Sequence, residues 1–253
     1  MAEITDFFER QIFNLVEEET GIIISAFHEQ FLHNYICERL EKLKLPDTSA
    51  FFKLLKNDLR EFSSLINETT INETYFFREE QQFDFLIENV FEKRAGQTIT
   101  FWSAACSTGE EAISLYTLSE NFKITPKIYA TDIDLNALQT FKRGLYGSHS
   151  FRDDGKKFHH VLDKLKATPK DTFINALPII SNIQISPFNL VKDDFFLLKG
   201  IIENLLKYLG FKNRYTFKYD YIDLMLVHQS GSDEKKLYRA IENKIKDGTV
   251  KSL

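Results

Sequence analysis

The chain has few cysteines. Cys37 and Cys106 are its only two in 253 residues, they lie far apart, and no CxxC pair is present. Reduced thiols in a cytoplasmic chain are the simplest reading of that usage. Long apolar runs are also missing. None approaches the roughly 18 residues that a membrane span requires, so no membrane insertion is expected. Acids come early in MAEITDFFERQIF and no basic segment precedes an apolar one, which argues against a signal peptide. A surplus of positive charge is absent too. With 32 Lys and Arg against 37 Asp and Glu, the net charge of −5 excludes general nucleic-acid binding, which needs a basic surface to displace counterions. The six histidines form no metal-ligand cluster. His159 and His160 are adjacent, and sequence neighbours rarely share one metal, so both are expected at the surface and no metal is expected. There is no internal repeat and no low-complexity linker.

What is present is a core-forming composition. The chain is 43% hydrophobic and 27% charged with 24 phenylalanines, a soluble globular protein with an aromatic-rich core. The first ninety or so residues read as helical. Ile4, Phe7, Phe8, Ile12, Leu15 and Val16 recur at helical spacing, and Gly21 is placed to end that helix. A second helix is expected over 27–44, before Pro46. A third is expected to start at an Asp47/Thr48 cap and run through SAFFKLLKN, with LREFSSLIN continuing the pattern. The charges of the second helix, Glu29, Glu38 and Glu41 against Arg39, Lys42 and Lys44, read as a solvated mixed face.

The character changes after Gly96. TITFW reads as a strand, GEEAISLYTLSENF as a helix, KIYATDID as a strand and LNALQTFKRGLY as a helix. That alternation predicts an α/β domain with a parallel sheet. Residues 147–185 are less regular and are expected to form an inserted subdomain. NIQISPFNLV reads as a strand with its exit loop, FFLLKGIIENLLKYLG as an amphipathic helix closed by Gly210, YIDLMLV as a further strand, and DEKKLYRAIENKIKDG as a polar-faced helix.

Only ten glycines are present, which makes SAACSTGEEAISL, Ser103 to Leu115, stand out. Small residues and a glycine fill the turn between a predicted strand and a predicted helix. In a parallel sheet that turn lies at the carboxyl edge of the strands, where ligands bind. Asp132 ends the second strand, 23 positions after Gly109. That is near the roughly 20-residue offset at which a carboxylate grips a ribose diol. A single glycine in place of GxGxxG does not favour a dinucleotide pyrophosphate. Glu110 and Glu111 would repel phosphates, though they suit a helix N-terminus. A cofactor without phosphates and bearing a cation fits better, and S-adenosylmethionine has that character.

These residues carry a family resemblance. TTINETYFFREEQQFDFL, Thr69 to Leu86, resembles the linker signature of the CheR-type chemotaxis receptor glutamate methyltransferases. FWSAACSTGEEAISLY is similar to that family's cofactor loop, IYATDID to its ribose-binding strand end, FKRGLYGSHSFRD to its following helix and turn, and ISPFNLV to its F-x-x-x-N-L segment. The resemblance is collinear over about residues 4–192. It implies a Rossmann-like class I methyltransferase domain behind an N-terminal helical bundle. The division expected is 1–68 helical domain, 69–96 linker and helix, and 97–253 cofactor-binding domain.

The resemblance also implies roles. Asn72, Thr74 and Arg78 would contact the cofactor S-adenosyl-L-methionine and the reacting groups from the linker, with Arg78 the catalytic residue. Ala104 would pack against the cofactor, Glu111 would reach its amino-acid end, Asp132 its ribose, and Asn189 and Leu190 its adenine. Phe76 and Phe77 are expected in the core. The partner implied is the cytoplasmic domain of a chemoreceptor, methylated on glutamate side chains.

After Lys192 the chain departs from the family pattern. Asp223 to Val227 is the nearest counterpart of the family's next strand. His228 and Gln229 would then replace an Arg-Asn pair, and the family's active-site Tyr has no counterpart at Gly231 to Asp233. An incomplete C-terminal sheet is therefore expected, and 193–253 is read as divergent or replaced. Two other functions stand beside the receptor methyltransferase: a cofactor-binding regulatory module without catalysis, and a methyltransferase for a different acceptor.

Overall fold

In a computed structural model of the protein, the described residues are 4–70, 72–166, 173–192 and 224–227. They divide into two compact units. The helical unit comprises 4–70 with Ile133–Leu135 and 189–192, and the α/β unit comprises 72–132, 136–188 and 224–227.

The helical unit contains four helices, each started or stopped by a residue suited to that task. α1 (Asp6–Thr20) ends at Gly21, whose φ of 73° is left-handed and whose N–H reaches the Glu17 carbonyl. α2 (Ala26–Leu43) begins at Ser25, which forms a reciprocal capping pair with His28. α3 (Thr48–Asn57) is capped by the Asp47 carboxylate, which accepts from the Ala50 N–H at 2.8 Å. The expected continuation into LREFSSLIN is interrupted. Asp58 is extended, ends α3 and caps α4 (Leu59–Thr69) by accepting from the N–H groups of Arg60 and Glu61. The core joins Ile12, Phe13 and Val16 of α1 to Leu32, Ile36 and Leu40 of α2, Phe51 and Leu55 of α3, and Leu65 of α4. Each such side chain contributes about 1.5–3 kcal/mol on burial. One ion pair lies within this packing: Arg39 donates from Nε to Glu61 Oε1 at 2.6 Å and from a second nitrogen to Oε2.

The α/β unit begins with an irregular linker and α5 (Glu80–Leu86), continued by a π turn over Ile87–Phe91. The predicted alternation follows as β1 (Thr98–Ala104), α6 (Glu110–Asn121), β2 (Thr125–Asp132) and α7 (Leu135–Arg143). β5 (Ile183–Pro187) and β6 (Leu224–Val227) complete a four-stranded parallel sheet in the order β5-β2-β1-β6. β6 is the backbone of the strand expected within YIDLMLV. The helices read in FFLLKGIIENLLKYLG and DEKKLYRAIENKIKDG lie outside the described residues. So do Asp223, His228 and Gln229.

The topology positions the site. Chain order runs β1, β2, β5 to one side, and β6 then joins β1 on the other. The carboxyl end of β1 is therefore a switch point, the position at which ligands enter open α/β sheets.

The region expected as an insertion is built from short pieces. β3 (Leu145–Tyr146) pairs antiparallel with β4 (Ile174–Asn175), a 3-10 run covers Lys156–Leu165, and α8 (Leu177–Ile180) leads into β5. The 3-10 run corrects one expectation. His160 is exposed, but His159 is half-buried with its ring edge-on to Phe151, because the run turns Phe158, Val161, Leu162 and Leu165 into the core.

Candidate cofactor site

The turn after β1 has a demanding backbone. Ala105, Ser107 and Gly109 all have left-handed φ, at 57°, 48° and 95°. Small side chains limit the steric cost of that conformation, which a β-branched residue would raise. A Cβ on Gly109 would stand 2.3 Å from the Phe141 ring, so the glycine is required by packing against α7.

Two carboxylates converge at this strand edge under firm local control. Asp132, 6% exposed, accepts the Ser107 N–H at 2.7 Å through Oδ2. Ser107 in turn donates from its hydroxyl to Asn72 Oδ1 at 3.0 Å. Glu111, 8% exposed, accepts the Ser103 hydroxyl at 2.6 Å. The linker residue Asn72, the turn and the end of β2 thus form one hydrogen-bonded array. Ala104 is fully buried at the end of β1.

The two neighbouring glutamates divide their work. The residue at the N-cap of α6 is Gly109, which has no side chain to cap with. Glu110 turns away from Glu111 and accepts from Thr108 Oγ1 and Ser150 Oγ, both at 2.7 Å. Burial pushes its carboxyl above the ordinary range, although these two hydroxyls and its own backbone N–H oppose the shift. Tyr146 adds a bond from its hydroxyl to the Thr108 carbonyl at 2.7 Å. Burial likewise holds the phenol of Tyr146 well up and the thiol of Cys106 well up, so neither ionises at neutral pH. Glu110 is a brace between the turn and Ser150. Ser103 positions Glu111. Sequence reasoning missed both roles, because burial and partner choice are not written in residue type.

The linker is pinned with equal care. Phe76 and Phe77 are fully buried, as expected, and meet Tyr146, Phe151, Phe83 and Phe158 in edge-on and tilted ring contacts. The Phe76 N–H donates to the Ser150 carbonyl, and the Phe77 N–H to Ser114 Oγ at 3.0 Å. Phe77 and Glu79 both take left-handed φ, at 56° and 60°. This contorted segment presents Arg78, which is part-exposed and donates from one guanidinium nitrogen to the Glu73 carbonyl at 2.7 Å. Among the described residues Arg78 forms no ion pair with Glu79 or Glu80. Thr74 is half-buried in the same segment. Asn189 and Leu190 group with the helical unit, where the Asn189 amide donates to the Glu19 carbonyl at 2.7 Å.

The donor set fits a ligand that brings hydroxyls and positive charge. It holds two buried carboxylates at a switch point, and no Lys or Arg occurs between Ser103 and Glu111. Among the described residues no group of metal-binding side chains is found, and no helix is long and apolar enough to cross a membrane.

Comparison with known proteins agrees with this chemistry. Residues 9–70 match the all-alpha domain of the CheR methyltransferases, and residues 72–198 match their SAM binding domain. The cofactor this domain takes is S-adenosylmethionine. The chain is 33% identical to a chemotaxis protein methyltransferase of Escherichia coli (strain K12) over 149 residues, 56% of this chain and 51% of that protein. It is 25% identical to one of Borreliella burgdorferi over 213 residues, 78% of this chain and 66% of that protein. A probable biofilm formation methyltransferase of Pseudomonas aeruginosa is 27% identical over 158 residues, 60% of this chain and 36% of that protein. The chain spans about half the length of the first of these curated relatives. With both family domains matched in order, the chain belongs to the CheR methyltransferase family.

Proposed function

We propose that this protein is a cytoplasmic methyltransferase that uses S-adenosylmethionine to esterify glutamate side chains of chemoreceptor signalling domains. The observation that carries the reading is the array of Asn72, Ser107 and Asp132 beside the Ser103–Glu111 pair at the carboxyl end of β1. Family membership supports it, and the names of the relatives supply the chemotaxis context.

In this reading Asp132 takes the ribose hydroxyls, since a carboxylate accepts from two vicinal donors. Glu111 takes the ammonium group of the cofactor's amino-acid end. Asn72, Thr74 and Ala104 complete the cofactor contacts of the α/β unit, and Arg78 holds a carboxylate by charge-assisted hydrogen bonds. The bound cofactor supplies an electrophilic methyl on a sulfonium. An acceptor carboxylate would need to bring only an oxygen lone pair to that methyl, the electron pair of the broken carbon–sulfur bond staying on sulfur. No proton moves. An acceptor glutamate with an ordinary pKa of about 4.3 is already ionised at neutral pH, so the site needs no general base. Alignment and partial removal of water are what the protein contributes.

The test is calorimetric titration of S-adenosylhomocysteine, followed by transfer of labelled methyl to a receptor cytoplasmic fragment. Asp132→Ala is expected to weaken the titration at least about tenfold, the loss of charge-assisted hydrogen bonds worth about 1.5–3 kcal/mol each. Folded wild type that binds no S-adenosylhomocysteine would overturn the site assignment. Binding with label on a residue other than glutamate would overturn the acceptor assignment alone.

A further inference from the structure

The segment Phe151–Gly155 carries a feature that the cofactor array does not use. Arg152 is exposed, and its guanidinium carbon lies 5.9 Å from the centre of the Tyr75 ring. Arg78 lies at the same distance from the same ring. Neither arginine pairs with a carboxylate among the described residues. A guanidinium is attracted to the negative face of an aromatic ring, so the Tyr75 ring gathers two positive charges at one place. The acidic groups of a partner segment would meet both.

The ring that carries them is fixed. The Tyr75 hydroxyl donates to Asp154 Oδ2 at 2.8 Å. Asp154 also accepts the N–H groups of Glu79 at 2.8 Å and Glu80 at 3.3 Å. Burial alone would raise the Asp154 carboxyl, but these donors and the Gly155 N–H hold it below its ordinary range. Asp154 therefore stays ionised and committed to the linker, with no hydrogen bond or ion pair to either arginine among the described residues. Gly155 has a φ of 77°, and a Cβ there would meet the Phe77 carbonyl oxygen at 2.4 Å. Residues 152–155 thus lie flush against the linker that presents Arg78.

We propose that Arg152 is an acceptor-binding residue, which with Arg78 on the shared Tyr75 ring receives the carboxylates of the acidic acceptor segment. The inference rests on the glutamate-methylating reading above and names the recognition element it requires. A guanidinium suits the task, since its planar fork binds a carboxylate through two parallel hydrogen bonds. Bound at one oxygen, an acceptor carboxylate keeps its other oxygen for the methyl.

The experiment measures transfer of labelled methyl to a receptor cytoplasmic fragment by wild type, Arg152→Lys and Arg152→Glu, beside calorimetry with S-adenosylhomocysteine. Arg152→Glu is expected to raise KM for the fragment at least about tenfold, the effect of one charge-assisted contact. S-adenosylhomocysteine affinity and the thermal midpoint are expected to stay at wild-type values, because Arg152 is exposed. Arg152→Lys is expected to fall between, keeping charge and losing the fork. Added salt is expected to raise the wild-type KM more than that of Arg152→Glu. An unchanged KM in Arg152→Glu, with wild type active, overturns this inference and leaves the proposed function standing. Lost S-adenosylhomocysteine affinity in Arg152→Glu overturns it also, by moving Arg152 to the cofactor. Wild type that binds S-adenosylhomocysteine but methylates no receptor glutamate overturns the proposed function, and this inference with it.

Discussion

The two units bury polar groups for different ends. In the helical unit, buried polar atoms face helix ends or each other. Thr20 and Thr69 return their hydroxyls to carbonyls one turn back, and Glu61 is closed by Arg39. In the α/β unit, buried Ser103, Ser107, Glu110, Glu111 and Asp132 crowd around one strand edge. Two left-handed non-glycine residues support the turn there, and two more support the linker. A bundle can be stabilised by apolar stripes and caps alone. Strained backbone and buried acids gathered at one place need another justification, and a ligand is the one that the switch point offers.

The turn gives the sharpest way to break that contrast. Gly109→Val meets both a φ of 95° and the Phe141 ring at 2.3 Å. It is expected to destabilise the fold by about 3 kcal/mol or more and to abolish S-adenosylhomocysteine binding. Thermal melts and calorimetry check it. A loss below about 1 kcal/mol would mean that Phe141 yields, and that the turn is softer than its geometry implies.

The opposite separation is expected in the helical unit. Arg39→Ala leaves the Glu61 side chain nearly enclosed without its partner, the two side chains being 17% and 9% exposed in the native pair. Stability is expected to fall by about 2–3 kcal/mol, somewhat less than for a fully buried pair. S-adenosylhomocysteine affinity, measured on the folded variant, is expected to stay within about twofold of wild type. A tenfold change in affinity would erase the division of labour between the two units.

Ser103→Ala probes a smaller effect from the other side. It removes the hydroxyl that Glu111 accepts at 2.6 Å, while the side chain it shortens is a single oxygen on β1. Affinity for S-adenosylhomocysteine is expected to drop about tenfold, the worth of one hydrogen bond to a charged group. Stability is expected to change by no more than about 1 kcal/mol. Equal affinity in the variant would assign Glu111 to structure.

How far the sequence discloses such roles depends on whether they follow from residue type and spacing. Helix ends were legible, since Gly21 and Asp47 act through their own chemistry. The strand–helix alternation around the turn was legible for the same reason. So was the place of Asp132 at the carboxyl end of β2, while the role of Glu111 came only with the family resemblance. Left-handed Phe77, Glu79, Ala105 and Ser107 were not legible, as nothing in those side chains favours that backbone. Tertiary contacts impose it. Asp154 and Ser103 went unread for a related reason: an acid in FRDDG and a serine in TITFWSA look solvated or incidental until their partners are known. The break at Asp58 was readable from its capping chemistry, but the apolar spacing on either side hid it.

His159 shows the smallest expected effect and the one most dependent on tertiary contact. Its ring packs 5.1 Å from Phe151, and its Nε2 is buried without a hydrogen-bond partner among the described residues. Burial lowers its pKa below the ordinary 6.5, Lys166 and Lys156 lower it further, and Asp153 only partly opposes them. The neutral form is therefore the one the fold accepts. As pH falls through about 6.5, the unfolded chain takes up the proton before the folded one, so stability is present in full above that pH and declines below it. Thermal midpoints of wild type and His159→Phe, compared from pH 8 to pH 5, check this. The variant is expected to lose less stability across that window, because it has no proton to take up. Parallel curves would mean that the ring swings out to water when it charges, and that this corner of the α/β unit is held by Phe158 and Leu162 without His159.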